Sequence, residues 1–428
     1  MFKNKSLALL YKFIAINAER FPQTGKFFDW LTLKLLGESK IAQGLVTRNA
    51  NKLSHATKRN KICVIADVNI GDAITIQAII LAIQELLPGA NIDYVINKKA
   101  ELLLEGFPGI DTVYGVYTSA PLTAENMNII NELLEINRYD IVFNFCPFYS
   151  NKIILPPGTI EINYLGIMPQ IVKDIAKPNI QSHMVLQLYN YVQRLFANLE
   201  ATPKGIFRGT RAIISSDAVT QSESFIQDNG LGDHKKILFN PDTSSRFTRI
   251  PFHLQISLLE MLTELHCEIL LTPGYNKKGI EHELLQALPH HKQDKCKIVP
   301  IPLPLDMFAA LVDHCDAFIT GDTGLLHIAA AKKISRTGDF VFKNCTAIFS
   351  IFGATPSRLY GYDSFRPGFI PSFQNAVSHT YEGNCYRNIM YLINKNILPH
   401  DENYFFNGLN LEKIVMDMGL CLGDKDNK

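Results

Sequence analysis

The sequence predicts two doubly wound α/β domains, each a parallel sheet flanked by helices. Three observations lead there. At 428 residues the chain exceeds what one ordinary core absorbs, so two domains are the natural division. Short apolar runs suited to buried strands alternate with apolar residues at helical spacing in both halves. A composition of 47% hydrophobic and 19% charged residues is that of a folded globular chain.

The first alternation begins after residue 60. Ile62–Val68 reads as a buried parallel strand, Asp72–Leu87 as a helix stopped by "PGA", and Ile92–Ile96 as the next strand. That is a βαβ unit with a right-handed crossover. "YDIVFNFCP" (139–147) is a further strand, and "HMVLQLYNYVQRLFANLE" (183–200) a long helix. The polar "ATPKGIFRGT" (201–210) is the linker.

A second alternation follows. "KKILFNP", "CEILLTPG", "DAFITGD" and "CTAIFSIFGATP" read as strands, and "KIVPIPLP" as a strand or loop. "FHLQISLLEMLTEL", "GIEHELLQALP", "LDMFAALVDHC" and "GLLHIAAAKK" read as helices. The expected division is a basic amphipathic extension (1–60), a first doubly wound domain (61–205), a second (206–390), and a C-terminal helix and tail (391–428) ending in the polar "GDKDNK". There is no internal sequence repeat.

Lys plus Arg (42) nearly balances Asp plus Glu (41), which gives no sign of nucleic-acid binding. The balance hides an asymmetry. Residues 1–61 carry 12 Lys/Arg against 3 Asp/Glu, leaving 30 against 38 beyond them. This segment also shows helical apolar spacing, as in "SLALLYKFIAINAERF". Two readings stand: surface helices packed on the first domain, or a basic surface that meets anionic lipid or a phosphorylated acceptor. The apolar run after "MFKNKS" is broken by Lys12 and no small-x-small pattern follows, so no secretory signal is expected. No run reaches the roughly 18–20 apolar residues of a spanning helix. Eight cysteines without a C-x-x-C pair read as scattered reduced thiols, which suits the cytoplasm. His290 and His291 read as solvated in a polar loop.

In doubly wound sheets, ligands bind beyond the carboxyl ends of strands, where the next helix offers free N–H groups. "DAFITGDTGLLHIAAA" has that layout. Gly321 and Gly324 admit close approach, and the amides of Thr323, Gly324 and Leu325 suit a diphosphate. Thr323 adds a hydroxyl, and His327 lies one turn on. Asp322 fits sugar hydroxyls better than phosphate. The same residues equally describe a helix cap, Asp322 or Thr323, with His327 as an interior side chain. In the first domain Gly71-Asp72 sits at a strand-to-helix junction, preceded by Asn69. Asp72 is an N-cap or a base for an acceptor hydroxyl. The lone glycine there argues against a nicotinamide or flavin dinucleotide. "FNPDTSSRFTRIP" brings Ser244, Ser245, Arg246 and Arg249 to a strand end suited to anions, and "FGATPSR" makes another turn.

In this order, "IGDAITIQAIILAIQELLPGANIDYVI", "FNPDTSSRFTRIP", "FITGDTGLLHIAAA" and "AIFSIFGATPSR" resemble glycosyltransferase family 9, the bacterial ADP-heptose–lipopolysaccharide heptosyltransferases. The resemblance runs from about residue 61 to 366. It implies the GT-B architecture, two Rossmann-like domains facing a central cleft. It also implies an inverting, metal-independent glycosyltransferase without a cofactor, moving heptose from ADP-heptose onto a lipid-anchored core acceptor. Asp72 matches the family's general base, Thr323 and Gly324 the diphosphate cradle, Asp322 the donor-sugar contact and His327 the motif histidine. Asn69 and Gly71 fall on the acceptor side. Where the family has Lys-Arg-Trp-Pro, this chain reads Thr248-Arg249-Ile250-Pro251, so Arg249, or Arg246 one turn earlier, is expected to supply the missing lysine's charge. "KKISRTGDFVFKNC" (332–345) is longer than the usual link. The implied setting is the cytoplasm, peripheral at the inner membrane, with a nucleotide sugar and a lipid-linked oligosaccharide as partners and no nucleic acid. The alternatives are a GT-B-type nucleotide-sugar epimerase or hydrolase and a non-catalytic sugar-nucleotide binder.

Overall fold

The computed structural model describes residues 50–51, 53, 60–66, 69–117, 123–145, 153–163, 183–196, 209–341, 345–355, 357–363, 377–383 and 402–423. Nearly all of the basic extension, most of the linker (201–208), residues 391–401 and the end of the tail lie outside them, as do Val68, Cys146 and Cys385.

The first lobe contains β1 (Lys61–Ile65), α1 (Ile70–Leu86), β2 (Asn91–Asn97), β3 (Thr112–Tyr117), α2 (Ala124–Asn137), β4 (Ile141–Asn144), β5 (Ile160–Asn163) and α3 (Met184–Phe196). Its sheet runs β3-β2-β1-β4-β5, all parallel. Helix α1 follows Asn69 in extended backbone and ends before Pro88, which has no N–H to continue it. Helix α2 opens with a capping box between Thr123 and Asn126, and closes with Arg138 in the left-handed region at φ 50°. The sequence reading did not single out β3, α2 or β5.

Then come β6 (Arg211–Ile214), α4 (Ser216–Asp228), β7 (Lys236–Asn240), α5 (Phe252–Leu262), β8 (Glu268–Leu271), α6 (Ile280–Ala287), α7 (His290–Gln293), β9 (Cys296–Ile298), α8 (Leu305–Asp313), β10 (Ala317–Gly321), α9 (Gly324–Ala330), β11 (Lys332–Ser335), β12 (Ala347–Phe352), α10 (Ser357–Tyr360), β13 (Val377–Glu382) and α11 (Leu411–Leu422). The second sheet runs β13-β12-β10-β7-β8-β9, again all parallel. Both sheets therefore place their own first strand, β1 and β7, at the centre, with the order reversing beside it. In the first lobe that switch falls between β1 and β4, in the second between β7 and β10.

Two expectations are corrected. "GLLHIAAAKK" is not one helix: α9 stops at Ala330, Ala331 turns extended, and Lys332–Ser335 pairs in parallel with β6 as a separate two-stranded sheet. The long 332–345 link thus begins as a strand. Lys333 explains the stop. It is fully buried, its Nζ 3.3 Å from Asp313 Oδ1 and 2.5 Å from the Ala329 carbonyl, closing the end of α9. Burial pushes the Asp313 carboxyl up and the Lys333 ammonium down. His290 and His291 are exposed as expected, but on the short α7 instead of a loop.

Alternation along the strands divides the interior. Cys63, Ile65, Val95 and Val142 face α2 residues Met127, Ile130 and Leu134. Ile237, Phe239, Ile269, Ile319 and Phe349 pack with residues of α5, α6 and α11. The two remaining faces share one cluster, which runs from Ile62, Tyr94 and Phe143 through α1 and α3 to α8, α9, β6, Leu238, Phe318 and Ile348. Across that cluster Gln77 of α1 grips the edge of β6: its Nε2 donates to the Arg211 carbonyl at 2.7 Å, and the Arg211 amide donates back to Oε1 at 2.8 Å.

Candidate active site

The switch point of the second lobe is built by side chains that lock three strand ends together. Asn240 ends β7, fully buried. Its Nδ2 donates to Thr320 Oγ1 at 2.9 Å and to the Asp242 carbonyl at 2.9 Å, while its Oδ1 accepts from Thr272 at 3.1 Å. Beyond it, Asp242 Oδ2 accepts from the amides of Asn276 and Lys277 at 2.5 and 2.9 Å. The loop then folds over Gly321, where an added Cβ would lie 2.8 Å from the Thr248 carbonyl and 3.0 Å from Thr243 Cγ2. Only glycine leaves room for that approach. The "FGATPSR" turn joins the same end of the sheet, with the Ala354 amide donating to the Phe247 carbonyl at 3.0 Å.

This loop redistributes the expected charges. Arg249 is committed to Asp242: Nη2 lies 2.7 Å from Oδ1, Nε donates to Oδ1 at 2.9 Å, and Nη2 also donates to the Thr243 carbonyl at 3.1 Å. With its partner buried, Arg249 holds the loop together. Thr248, standing at the family's lysine position, is buried and bonded to Thr243 Oγ1 at 2.9 Å. Arg246 is exposed, its guanidinium 4.6 Å from the Phe247 ring. Of the two arginines, Arg246 is the one whose charge faces outward. Ser244 is exposed and Ser245 half-buried, its Oγ accepting from the Phe247 amide at 3.3 Å.

At the end of β10 the chain turns through Asp322 and Thr323, both half-buried, into α9. Thr323 occupies the N-cap position in extended backbone, yet its hydroxyl makes no cap hydrogen bond. Leu325 is buried, and the Leu326 amide donates to the Thr323 carbonyl at 3.1 Å. In the other lobe Asn69 likewise stands at the N-cap of α1 without a side-chain cap, exposed, with half-buried Asp72 in the first turn.

The two helix starts meet. A Cβ added to Gly71 would lie 2.6 Å from His327 Cδ2 and 3.0 Å from the Gly324 Cα. One added to Gly324 would lie 3.0 Å from the Gly71 nitrogen and 3.2 Å from Ile70 Cβ. Gly71, expected on the acceptor side, is therefore buried in this seam. His327 fills the space behind it, 4% exposed, its Nδ1 3.0 Å from the Tyr362 hydroxyl. Burial pushes its imidazole down to about 4, so it is neutral at ordinary pH. The structure brings Asn69, Gly71, Asp72, Thr323, Gly324, Leu325 and His327 to one seam, beside the loop of Ser244, Ser245, Arg246 and Arg249. Asn240, Asp242 and Tyr362 were missed. Asp242 carries a faint signal, an Asp directly past a strand, whereas Tyr362 is 35 residues from its partner in a stretch without a motif.

Among the described residues no group of three or more His, Cys, Asp or Glu could hold a metal ion, and no helix is long and apolar enough to cross a membrane.

Paired three-layer lobes with their switch points facing one seam are the arrangement of GT-B enzymes. The fold comparison agrees. The E. coli ADP-heptose lipopolysaccharide heptosyltransferase II aligns over 86% of this chain and 99% of its own, at 16% identity and a TM-score of 0.56. The family 9 glycosyl transferase from Veillonella parvula DSM 2008 aligns over 86% and 98%, at 19% identity and a TM-score of 0.59. No curated protein matches the sequence significantly. Residues 167–335 match the profile of glycosyltransferase family 9 (heptosyltransferase). The chain thus carries a match to glycosyltransferase family 9 over part of its length within a fold shared with these enzymes, as the order of its motifs suggested.

Proposed function

We propose that the protein transfers heptose from ADP-heptose, with inversion, onto a sugar hydroxyl of a lipid-anchored lipopolysaccharide core. One observation carries the reading: the first turn of α1, bearing Asp72, rests on the start of α9, so a carboxylate and a turn of open amides share one seam. The donor assignment draws on the likeness to an ADP-heptose transferase of the same fold.

In this reading Asp72 removes the proton from the attacking acceptor hydroxyl as the new glycosidic bond forms. The anomeric bond to the diphosphate breaks on the opposite face. The charge released onto the leaving ADP is held by the amides of Thr323, Gly324 and Leu325, the Thr323 hydroxyl and Arg246. Asp322 accepts from donor hydroxyls. These groups stabilise the departing charge without a metal. The acceptor reaches the seam from the side of Asn69, with the enzyme peripheral at the cytoplasmic face of the membrane.

Incubation with ADP-heptose and a Kdo-terminated core lipid should add one heptose to the acceptor, read by mass spectrometry. Asp72→Asn should lower turnover roughly 10²–10⁴-fold while leaving ADP affinity within a few-fold. Wild-type turnover in that variant would remove Asp72 as the base. In a thermal-shift panel of ADP-, UDP-, GDP- and CMP-sugars, stabilisation by another nucleotide and not by ADP-heptose would overturn the donor.

A further inference from the structure

Thr355 carries a hydroxyl that the fold does not use. It is 2% exposed, in the turn that follows β12, and among the described residues its Oγ1 has no hydrogen-bond partner. The other buried threonines at this end of the sheet differ. Thr243 bonds Thr248 at 2.9 Å, Thr320 accepts from Asn240 at 2.9 Å, and Thr272 donates to Asn240 at 3.1 Å. Nor does Thr355 cap α10. Pro356 has no N–H, and the Ser357 amide donates to Glu382 Oε1 at 2.7 Å. A buried hydroxyl without a partner keeps its full desolvation cost, which a valine of the same shape would avoid. Such a group points to a partner from outside the chain.

Position narrows the chemistry of that partner. Ile351 of β12 pairs in register with Gly321 of β10, so the turns leaving these two strands start side by side, on strands about 4.8 Å apart. On one side of Thr355, the Ala354 amide donates to the carbonyl of Phe247, the neighbour of exposed Arg246. On the other side, Tyr360 sets its ring 5.9 Å from that of His327 in α9. Thr355 is thus bracketed by the loop whose arginine faces outward and by the helix that follows Asp322 and Thr323. We infer that Thr355 is a further binding residue for the sugar donor: its hydroxyl donates to an oxygen of the diphosphate. An anionic oxygen is the acceptor with which a hydroxyl makes its strongest bond. Oγ1 is covered, so the turn shifts as the ligand enters, and the bond exists only in the bound protein. The ligand assignment rests on the proposed donor reading, whereas the unmet hydroxyl does not.

Thr355→Val keeps the shape and removes the hydroxyl, so its two effects should have opposite signs. With no ligand added, the full-length variant should melt about 1–3 °C above the wild type, because an unmet polar group is gone. In calorimetric titrations it should bind ADP and inorganic pyrophosphate roughly 10-fold more weakly. Thr355→Ser keeps a hydroxyl and should recover most of that affinity. An equal or lower melting temperature in Thr355→Val would mean that the hydroxyl is already met, by the protein or by a trapped water, and overturns the role of Thr355. Unchanged affinity for both probes overturns the diphosphate contact, even where ADP-heptose itself binds more weakly. If the wild type binds pyrophosphate but not ADP, the donor reading fails, and the pyrophosphate titration of Thr355→Val still decides the contact. A wild type that binds neither probe overturns both.

Discussion

At the end of β7 the chain is held by hydrogen bonds: Asn240 ties Thr320, Thr272 and the Asp242 carbonyl, and Asp242 gathers two amides and Arg249. At the start of α1 the holding force is packing. Ala73, Ile74, Ile76, Ala78 and Ile79 are all buried, the Asn69 side chain makes no cap bond, and the Tyr94 hydroxyl reaches the Ala73 carbonyl at 2.9 Å. The same strand order thus ends in a rigid polar cradle on one side and in an apolar helix with one carboxylate in its first turn on the other. A cradle for an anion needs donors fixed before the ligand arrives. In the proposed reading the carboxylate of Asp72 needs only the correct distance, which the seam between two glycines is to set.

The largest effect after loss of Asp72 itself should come from closing that seam to glycine. Gly71→Ala and Gly324→Ala each gain about 1 kcal/mol of helix propensity, against an overpacking cost of about 1–3 kcal/mol. Net stability should change little. Turnover should fall at least roughly 10-fold, because the added Cβ forces the carboxylate turn and the amide turn apart. If both variants turn over like the wild type, contact between the lobes does not set the distance.

A middle-sized effect concerns acid. His327 has a folded value of about 4 against 6.5 for a free histidine. Between those values the unfolded chain binds more protons than the folded one, so stability rises with pH across that window and is flat above it. The full window is worth on the order of 3 kcal/mol. Urea melts of wild type and His327→Asn at pH 7 and pH 4.5 should show a smaller pH loss in the variant. Equal losses would mean that the imidazole is wet.

The smallest effect belongs to the exposed pair joining the lobes, Arg336 Nη2 and Glu105 Oε2 at 2.9 Å, with side chains 49% and 55% exposed. Arg336→Ala should stay within about 0.5 kcal/mol of wild type and leave turnover intact. A larger loss would show that charge, and not packing, couples the two halves.

Much of this was legible from the residues alone. Buried parallel strands read as unbroken apolar runs, so β1, β7, β10 and β12 stand out, and each is followed by Gly, Asp or Thr where a ligand turn belongs. What escaped depends on distance along the chain. Arg249 looks like an anion contact until Asp242 folds against it. Lys332 and Lys333 extend the helical pattern of α9 by propensity, and only pairing with β6 and the burial of Lys333 against Asp313 turn them into a strand. Tyr362 has no local signature, because its meaning comes from a histidine in another element.

The shared cluster between the two sheets has a consequence for engineering. A chimaera made by exchanging one half with a relative, cut near residue 205, would sever no interior in sequence but would split one in space. α1 would meet a foreign α9 and β6, and the reciprocal amide pairing of Gln77 with Arg211 would have to be met by a new backbone. The two halves are therefore not separable modules, and exchanging either one means redesigning the face where they are joined.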